Sequence, residues 1–352
     1  MSSVPPSLLD IADRVEARLV ALLDAERQRW GAVDEALAAP LDSLAALVLS
    51  GGKRLRPAFC FWGFVGAGGD MGDQRAVDAG AAFELLHAFA LFHDDVMDGS
   101  ATRRGERTVH LVFADRHGTG GWLGEARRFG EGVAILVGDL AFVYADQLLQ
   151  GAPRPALDVW NELRIELNIG QYLDIVGTAT GERDRVRAER IARYKSGKYT
   201  VERPLQLGAV LAAPDRAEEL MPALSAYGLP LGDAFQMRDD VLGAFGDESL
   251  TGKPVGDDLR EGKPTPLLAM ATARADAAQQ AVLARVGRPD LSDAEVSAIQ
   301  QVLVDTDALA DLEQRIEDLV AQAVDSLEAV ALADDARKAL VELAQYVAWR
   351  SK

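Results

Sequence analysis

From residue 7 to residue 349 apolar side chains return at spacings of three and four, and the pattern never changes character. That period belongs to the α-helix, in which residues three and four apart share a face. In 7–29, Leu8, Leu9, Ile11, Val15, Leu19, Leu22 and Leu23 fall on one side, with Ser7 placed to cap the first turn. The same reading gives helices over 40–49, 57–67, 74–98, 131–149, 156–177, 186–212, 216–246, 265–286, 292–305, 307–328 and 333–349. Strict apolar–polar alternation, the mark of a half-buried strand, is nearly absent. Breaks fall at Gly51-Gly52, Gly66 to Gly72, Gly118 to Gly124, Gly151 to Pro155 and Gly252 to Pro266. Length alone suggests about two domains, yet no Ser/Pro-rich linker divides the chain. The expectation is all-α: one large helical bundle over residues 1–352.

Composition narrows the function. Lys and Arg number 37 against 55 Asp and Glu, a net charge of −18, so the chain lacks the basic footprint of a nucleic-acid binder. Cys60 is the single cysteine, which excludes an internal disulfide and a Cys-rich zinc site. No apolar run is long enough to span a membrane. The N-terminal stretch is amphipathic rather than a signal peptide, and a reducing, cytoplasmic setting is expected. Gly118-Thr119-Gly120-Gly121-Trp122-Leu123-Gly124 lacks the glycine spacing of a dinucleotide fold and the Lys-Ser/Thr of a P-loop; it reads as a loop between helices.

Chemistry gathers at two helix ends. His93-Asp94-Asp95-Val96-Met97-Asp98 closes a strongly apolar helix. Asp94 and Asp98 are i,i+4 neighbours and Asp95 is i+3 from Asp98, so three carboxylates share one end. Hard oxygens packed this way suit Mg²⁺, which takes one or two carboxylates, waters and substrate phosphate oxygens; the alternative is a solvated acidic helix end. Phe235-Gln236-Met237-Arg238-Asp239-Asp240-Val241-Leu242 repeats the design.

Cations follow in glycine-bearing segments: Gly51-Gly52-Lys53-Arg54-Leu55-Arg56-Pro57, Arg103-Arg104-Gly105, Tyr194-Lys195-Ser196-Gly197-Lys198, Thr251-Gly252-Lys253 and Gly262-Lys263-Pro264. Any one alone is an ordinary solvated charge. Guanidinium forks and lysines match phosphate oxygens, and together with two Mg²⁺-type clusters they describe a diphosphate site.

These motifs, in this order over about residues 45–270, resemble the trans-isoprenyl diphosphate synthases, the polyprenyl synthetase family. The resemblance also takes in Phe245-Gly246-Asp247 and the run from Asp257 to Lys263. It implies a helical bundle of the isoprenoid synthase type around a deep apolar pocket, with both aspartate motifs at its mouth. It implies three Mg²⁺ ions with bound diphosphate, Asp94 and Asp98 serving two and Asp239 the third, with Asp95 and Asp240 in support. Arg103, Lys195, Ser196, Gln236, Lys253 and Lys263 would meet the allylic diphosphate. Lys53, Arg56, His87 and Arg104 would hold isopentenyl diphosphate. The family is usually homodimeric. His93, His110 and His117 lack metal-ligand spacing and receive no role.

Two positions depart from the family pattern. Gly243 stands where a third aspartate of the second motif is common, and Ser196 follows Lys195 where threonine is common. Product length reads from the helix carrying the first motif. Phe89 lies five residues before Asp94, about 7.5 Å along the axis, and small Ala90 follows it. Bulk at the first position without bulk at the second resembles the geranylgeranyl (C20) pattern. Alternatives are a farnesyl (C15) synthase, a terpene cyclase, which has no need of Lys53, Arg56 and Arg104, and a non-catalytic partner subunit.

Overall fold

Helix α1 (Pro6–Gly31) turns the leucine pattern into a buried edge of Leu8, Ile11, Val15, Leu19 and Leu23. The computed structural model describes residues 4–246, 255–288 and 290–349. They form two units, one of Pro6–Phe61 with Asp70–Ala152, the other of the described residues before Pro6, Trp62–Gly69 and the described residues from Pro153 onward.

In the first unit α2 (Ala38–Leu49) packs on α1, and the Gly51-Gly52 break leads into α3 (Leu55–Gly66), whose residues from Trp62 on belong to the second unit. The central element is α4 (Gln74–Asp98), which Asp73 opens by accepting from the Arg75 N–H and Gly99 closes with φ 65°. A left-handed residue at that place is the usual way for a helix to stop, and glycine adopts it without strain. Val77, Phe83, Leu85, Leu86 and Phe92 of α4 are buried, each worth about 1.5–3 kcal/mol of apolar burial. Helix α6 (Ala126–Leu148) packs along α4 and also against α5 (Val109–Gly120).

In the second unit α7 (Arg154–Thr180) is followed by α8 (Arg185–Ala192), a π-helical stretch over Arg193–Glu202 and α9 (Arg203–Ala212). The long α10 (Ala217–Phe245) packs on the π stretch and α9. After α11 (Asp257–Glu261) come α12 (Pro266–Arg274), α13 (Ala277–Leu283), α14 (Asp293–Asp305), α15 (Ala308–Ser326) and α16 (Asp334–Trp349). Asp276 and Ser292 start α13 and α14 with capping boxes. Among the described residues no helix is long and apolar enough to cross a membrane.

The all-α expectation holds, with local differences: α1 starts at Pro6, so Ser7 lies inside it rather than capping it, and the short α11 forms within the Gly252 to Pro266 break. Helix α5 was not anticipated: its buried side chains are His110, Phe113 and His117, two of them histidines that carry no apolar signal. It also absorbs Gly118 to Gly120 from the stretch read as loop. Residues 186–212 are helical throughout but not α throughout, and 265–286 divides at Ala275-Asp276. Finally, Thr102–Arg103 and Glu106–Arg107 form a small antiparallel hairpin. Its central residues, Arg104 at φ 54° and Gly105 at φ 81°, both have the positive φ that a tight two-residue turn of type I′ requires.

Candidate functional site

The first acidic motif occupies the last turn of α4. A helix C-terminus already carries partial negative charge, so three carboxylates there are unfavourable until cations meet them. Arg103, delivered by the hairpin, supplies one: its Nε donates to Asp95 Oδ1 at 2.8 Å, and its Nη2 lies 3.8 Å from Asp94 Oδ2. Asp95 is buried, which pushes its carboxyl above the usual carboxylate range, and Arg103 works against that shift. Asp94 is half-buried and Asp98 exposed, so the two residues expected as metal ligands are the more open members of the trio.

The hairpin turn sends Arg104 a different way from Arg103. Its Nη1 donates to Leu47 O at 3.2 Å, to Ser50 Oγ at 3.0 Å and to Gly51 O. In the Gly51–Pro57 segment Arg54 turns inward, paired with Glu84 and donating to Val48 O at 2.8 Å, while Lys53 and Arg56 stay half-exposed. His87 lies among these groups. Burial holds its imidazole well below the ordinary histidine value, and the charges of Arg56, Arg104, Arg103 and Arg54 lower it further. Arg104 itself is lowered by burial and by Arg54, Arg56 and Arg103, with Glu84 opposing. Cations up to about fifty residues apart in sequence therefore converge on a neutral histidine. Such a cluster is self-repelling and is relieved by an anion.

Phe89 and Ala90 are half-buried on α4, unlike the sealed run from Ala81 to Leu86. The Phe89 ring tilts against Phe142 at 4.9 Å and His93 at 4.6 Å between centroids.

In the second unit Asp239 and Asp240 lie near the end of α10. Gln236 Nε2 donates to Asp240 Oδ1 at 2.9 Å, and Asp240 Oδ2 is enclosed with no hydrogen-bond partner among the described residues. Burial raises the Asp240 carboxyl well above its ordinary value, Gln236 works against this, and the charges of Asp258 and Asp239 add to it. Arg238 faces away, gripping Ala348 O at 2.7 Å and the Glu313 carboxylate. Gly243 has a physical reason: a Cβ there would lie 1.8 Å from Asp258 Oδ2. A carboxylate from α11 thus stands where a third aspartate side chain would begin. Lys263 Nζ pairs with Glu261 at 2.5 Å and Asp258 at 3.4 Å. Lys253, with Asp247, Thr251 and Gly252, lies outside the described residues.

Lys195 and Ser196 sit in the π stretch, and Lys195 Nζ pairs with buried Asp174 of α7 at 2.5 Å. Asp174 was not anticipated. Its signal was present: Leu163, Glu166, Leu167, Gly170 and Asp174 recur at three- and four-residue spacing, so two acids interrupt a buried face. Among the described residues no three acidic, cysteine or histidine side chains form a ready-made metal cage.

One unit thus carries an acidic helix end beside convergent guanidinium groups, and the other a second acidic helix end, in an all-α chain. Residues 38–303 match the polyprenyl synthetase family. The chain is 32% identical over 306 residues to a geranylfarnesyl diphosphate synthase from Aeropyrum pernix, covering 84% of this chain and 89% of that one. It is 37% identical over 239 residues to a geranylgeranyl diphosphate synthase from Mycobacterium tuberculosis, covering 66% and 62% respectively. Its fold superposes with TM-score 0.90 and 37% identity on a geranylgeranyl pyrophosphate synthase from Corynebacterium glutamicum solved with isoprenyl diphosphate and magnesium, over 97% of this chain and 99% of that one. The chain belongs to the polyprenyl synthetase family. It is a trans-prenyltransferase, an isoprenyl diphosphate synthase.

Proposed function

We propose that the protein condenses isopentenyl diphosphate with allylic diphosphates to geranylgeranyl diphosphate, using Mg²⁺. The observation that carries the substrate assignment is the convergence of Arg56, Arg103 and Arg104 on a neutral His87. In this reading Lys53, Arg56, His87 and Arg104 hold the isopentenyl diphosphate. Arg103, Lys195, Ser196, Gln236, Lys253 and Lys263 hold the allylic one.

The donor set fits Mg²⁺: hard carboxylate oxygens only, among them the enclosed Asp240 Oδ2, which has no hydrogen-bond partner among the described residues. Asp94, Asp98 and Asp239 would hold three ions, with Asp95, Asp240 and the nearby Asp258 in support. Bound Mg²⁺ supplies positive charge that stabilises the departing diphosphate. Arg103 and Lys195 add charge-assisted hydrogen bonds as the allylic C–O bond breaks and its electron pair leaves with diphosphate. The isopentenyl double bond then attacks the allylic cation to form the new C–C bond. Loss of a proton to the released diphosphate restores an alkene. His87, held neutral, donates a hydrogen bond to the isopentenyl diphosphate without adding charge.

Phe89 supports the C20 product. Its half-buried ring stands on α4 between the sealed core and Asp94, with small Ala90 beside it. Of the two relatives above, one is named for this product and the other for a product one isoprene unit longer. A homodimer is supported by α7, which leaves Ile165, Ile169, Tyr172 and Val176 exposed at spacings of four, three and four, with Tyr172 67% exposed.

The test is incubation with isopentenyl diphosphate and, separately, each allylic primer in Mg²⁺, followed by sizing of the products. A C20 diphosphate as the main product is expected. A C15 end product with excess isopentenyl diphosphate would overturn the length assignment, and no condensation with any primer would overturn the substrate assignment.

A further inference from the structure

Residues Arg193–Glu202 form an unusual element: ten consecutive residues in π winding, closed by the Arg203 N–H donating to Lys198 O five residues back. π turns are rare, costly and concentrated where a helix must re-aim a side chain. This one carries Lys195 and Ser196.

A π segment is wider than an α-helix and needs room on both sides. Glycines supply it. A Cβ on Gly170 of α7 would lie 2.3 Å from Lys195 N. On α10, a Cβ on Gly232 would lie 2.6 Å from Gly197 O, and one on Gly228 would lie 2.7 Å from Glu202 Cα. The main chain of the segment is therefore pressed against both neighbours.

Room does not explain why the segment keeps this winding. A buried charge cluster does. Glu166 of α7 is 5% exposed. It accepts a guanidinium fork from Arg203, Nε to Oε2 and Nη2 to Oε1, both at 2.7 Å, and it pairs with Lys198 Nζ. Burial alone would raise the Glu166 carboxyl, but Arg203 and Lys198 together hold it below its ordinary value. Lys198 and Arg203 are the acceptor and donor of the closing π hydrogen bond, so one carboxylate grips both ends of that turn. A second chain backs it: Arg203 Nη1 donates to Gln206 Oε1 at 3.0 Å, Gln206 Nε2 to Ser225 Oγ at 2.8 Å, and Ser225 Oγ to Glu202 Oε1 at 2.6 Å. None of Glu166, Lys198, Arg203, Gln206 and Ser225 has a role in the chemistry above.

We propose that Glu166, Lys198 and Arg203 are positioning residues: they clamp the π turn and thereby aim Lys195 and Ser196 at the allylic diphosphate. The aim of the clamp rests on the function proposed above; the clamp itself does not. Rewinding the segment as an α-helix would rotate Lys195 relative to Asp174, its partner on α7.

The experiment compares the full-length parent with Glu166→Gln, which keeps the shape and removes the charge, and with Lys198→Met, which leaves the Arg203 fork in place should the first variant fold poorly. Hydrogen exchange is followed by mass spectrometry without substrate, and steady-state kinetics with both substrates. Exchange over 193–202 should quicken by about tenfold or more, with α14 to α16 unchanged. KM for the allylic diphosphate should rise several-fold more than KM for isopentenyl diphosphate. Unchanged exchange over 193–202 in both variants would overturn the clamp. Quickened exchange with equal effects on the two KM values would overturn its aim. Failure of the parent to use any prenyl diphosphate would defeat the functional reading instead, and the exchange data would still decide the clamp.

Discussion

Gly243→Ala isolates the consequence of replacing an aspartate common in the family by glycine. The added methyl carbon would start 1.8 Å from Asp258 Oδ2 and 2.4 Å from its Cγ, where ordinary contact begins near 3.4 Å. The carboxylate must retreat by more than an ångström. It is only 16% exposed at its side chain and is held by Lys263 at 3.4 Å, so it cannot simply swing into water. Lys263 keeps Glu261 as a second partner, and loss of that ion pair costs little. The dominant cost is overpacking, about 1–3 kcal/mol. At roughly 2–4 °C per kcal/mol for a large domain, the melting temperature should drop by about 2–12 °C. The assay is thermal unfolding of the parent, Gly243→Ala, Asp258→Ala and the double variant. The double variant should recover most of the loss, because the alanine pair leaves only a 3.2 Å approach to Asp258 Cβ, so the cycle should show strong positive coupling. A Gly243→Ala protein that melts with the parent, or a double variant no more stable than the single, would refute the idea that Asp258 occupies the missing side chain's place.

Asp94→Ala and Asp98→Ala should each lower turnover by roughly 100-fold or more, with melting in the absence of metal unchanged or raised because repulsion at the α4 terminus is relieved; near-normal turnover would remove them as Mg²⁺ ligands. His87 has a depressed value in the fold, so below about pH 6.5 the unfolded chain binds more protons than the native one and stability falls with acidification. The melting temperature should accordingly fall further between about pH 7.5 and pH 5.5 in the parent than in His87→Asn, and equal falls would count against a buried neutral imidazole. Phe89→Ala should lengthen the product by at least one isoprene unit, at a stability cost below the ~3–5 kcal/mol of a fully buried phenyl; an active variant with an unchanged product would place the floor elsewhere. Tyr172→Asp combined with Ile169→Asp should halve the mass read by light scattering, and an unchanged mass would mean that this face of α7 is not the dimer contact.

Most of the helices were legible because one period runs through them, while α5, whose buried face is largely histidine, was not; the acidic motifs stood out because carboxylates at successive helix positions leave few readings. What the sequence concealed was decided by contacts across elements. Asp258 follows Gly243 by fifteen residues, and nothing local says that its carboxylate fills the glycine's empty side. Asp174 interrupts a buried face of α7, but nothing in the sequence names Lys195 as its partner. The hairpin strands are two residues each, too short to show alternation, although Arg104-Gly105 is the kind of pair a tight turn uses.

The π stretch shows most clearly why pattern alone falls short. Tyr199, Val201 and Leu205 are buried, and a sequence reader assigns them to one continuous α-helix. The choice between α and π winding depends on whether the neighbours leave room and on whether charges favour the wider turn. Gly170 on α7 and Gly228 and Gly232 on α10 provide the first condition, and Glu166 the second, and these lie more than twenty residues from the segment's own cations. A larger residue at any of the three glycines would push on main chain rather than on a flexible side-chain end, so the segment could not keep its position there. The geometry of Lys195 is therefore set by residues that touch no substrate, so a search restricted to diphosphate-binding motifs would find the lysine and miss what aims it.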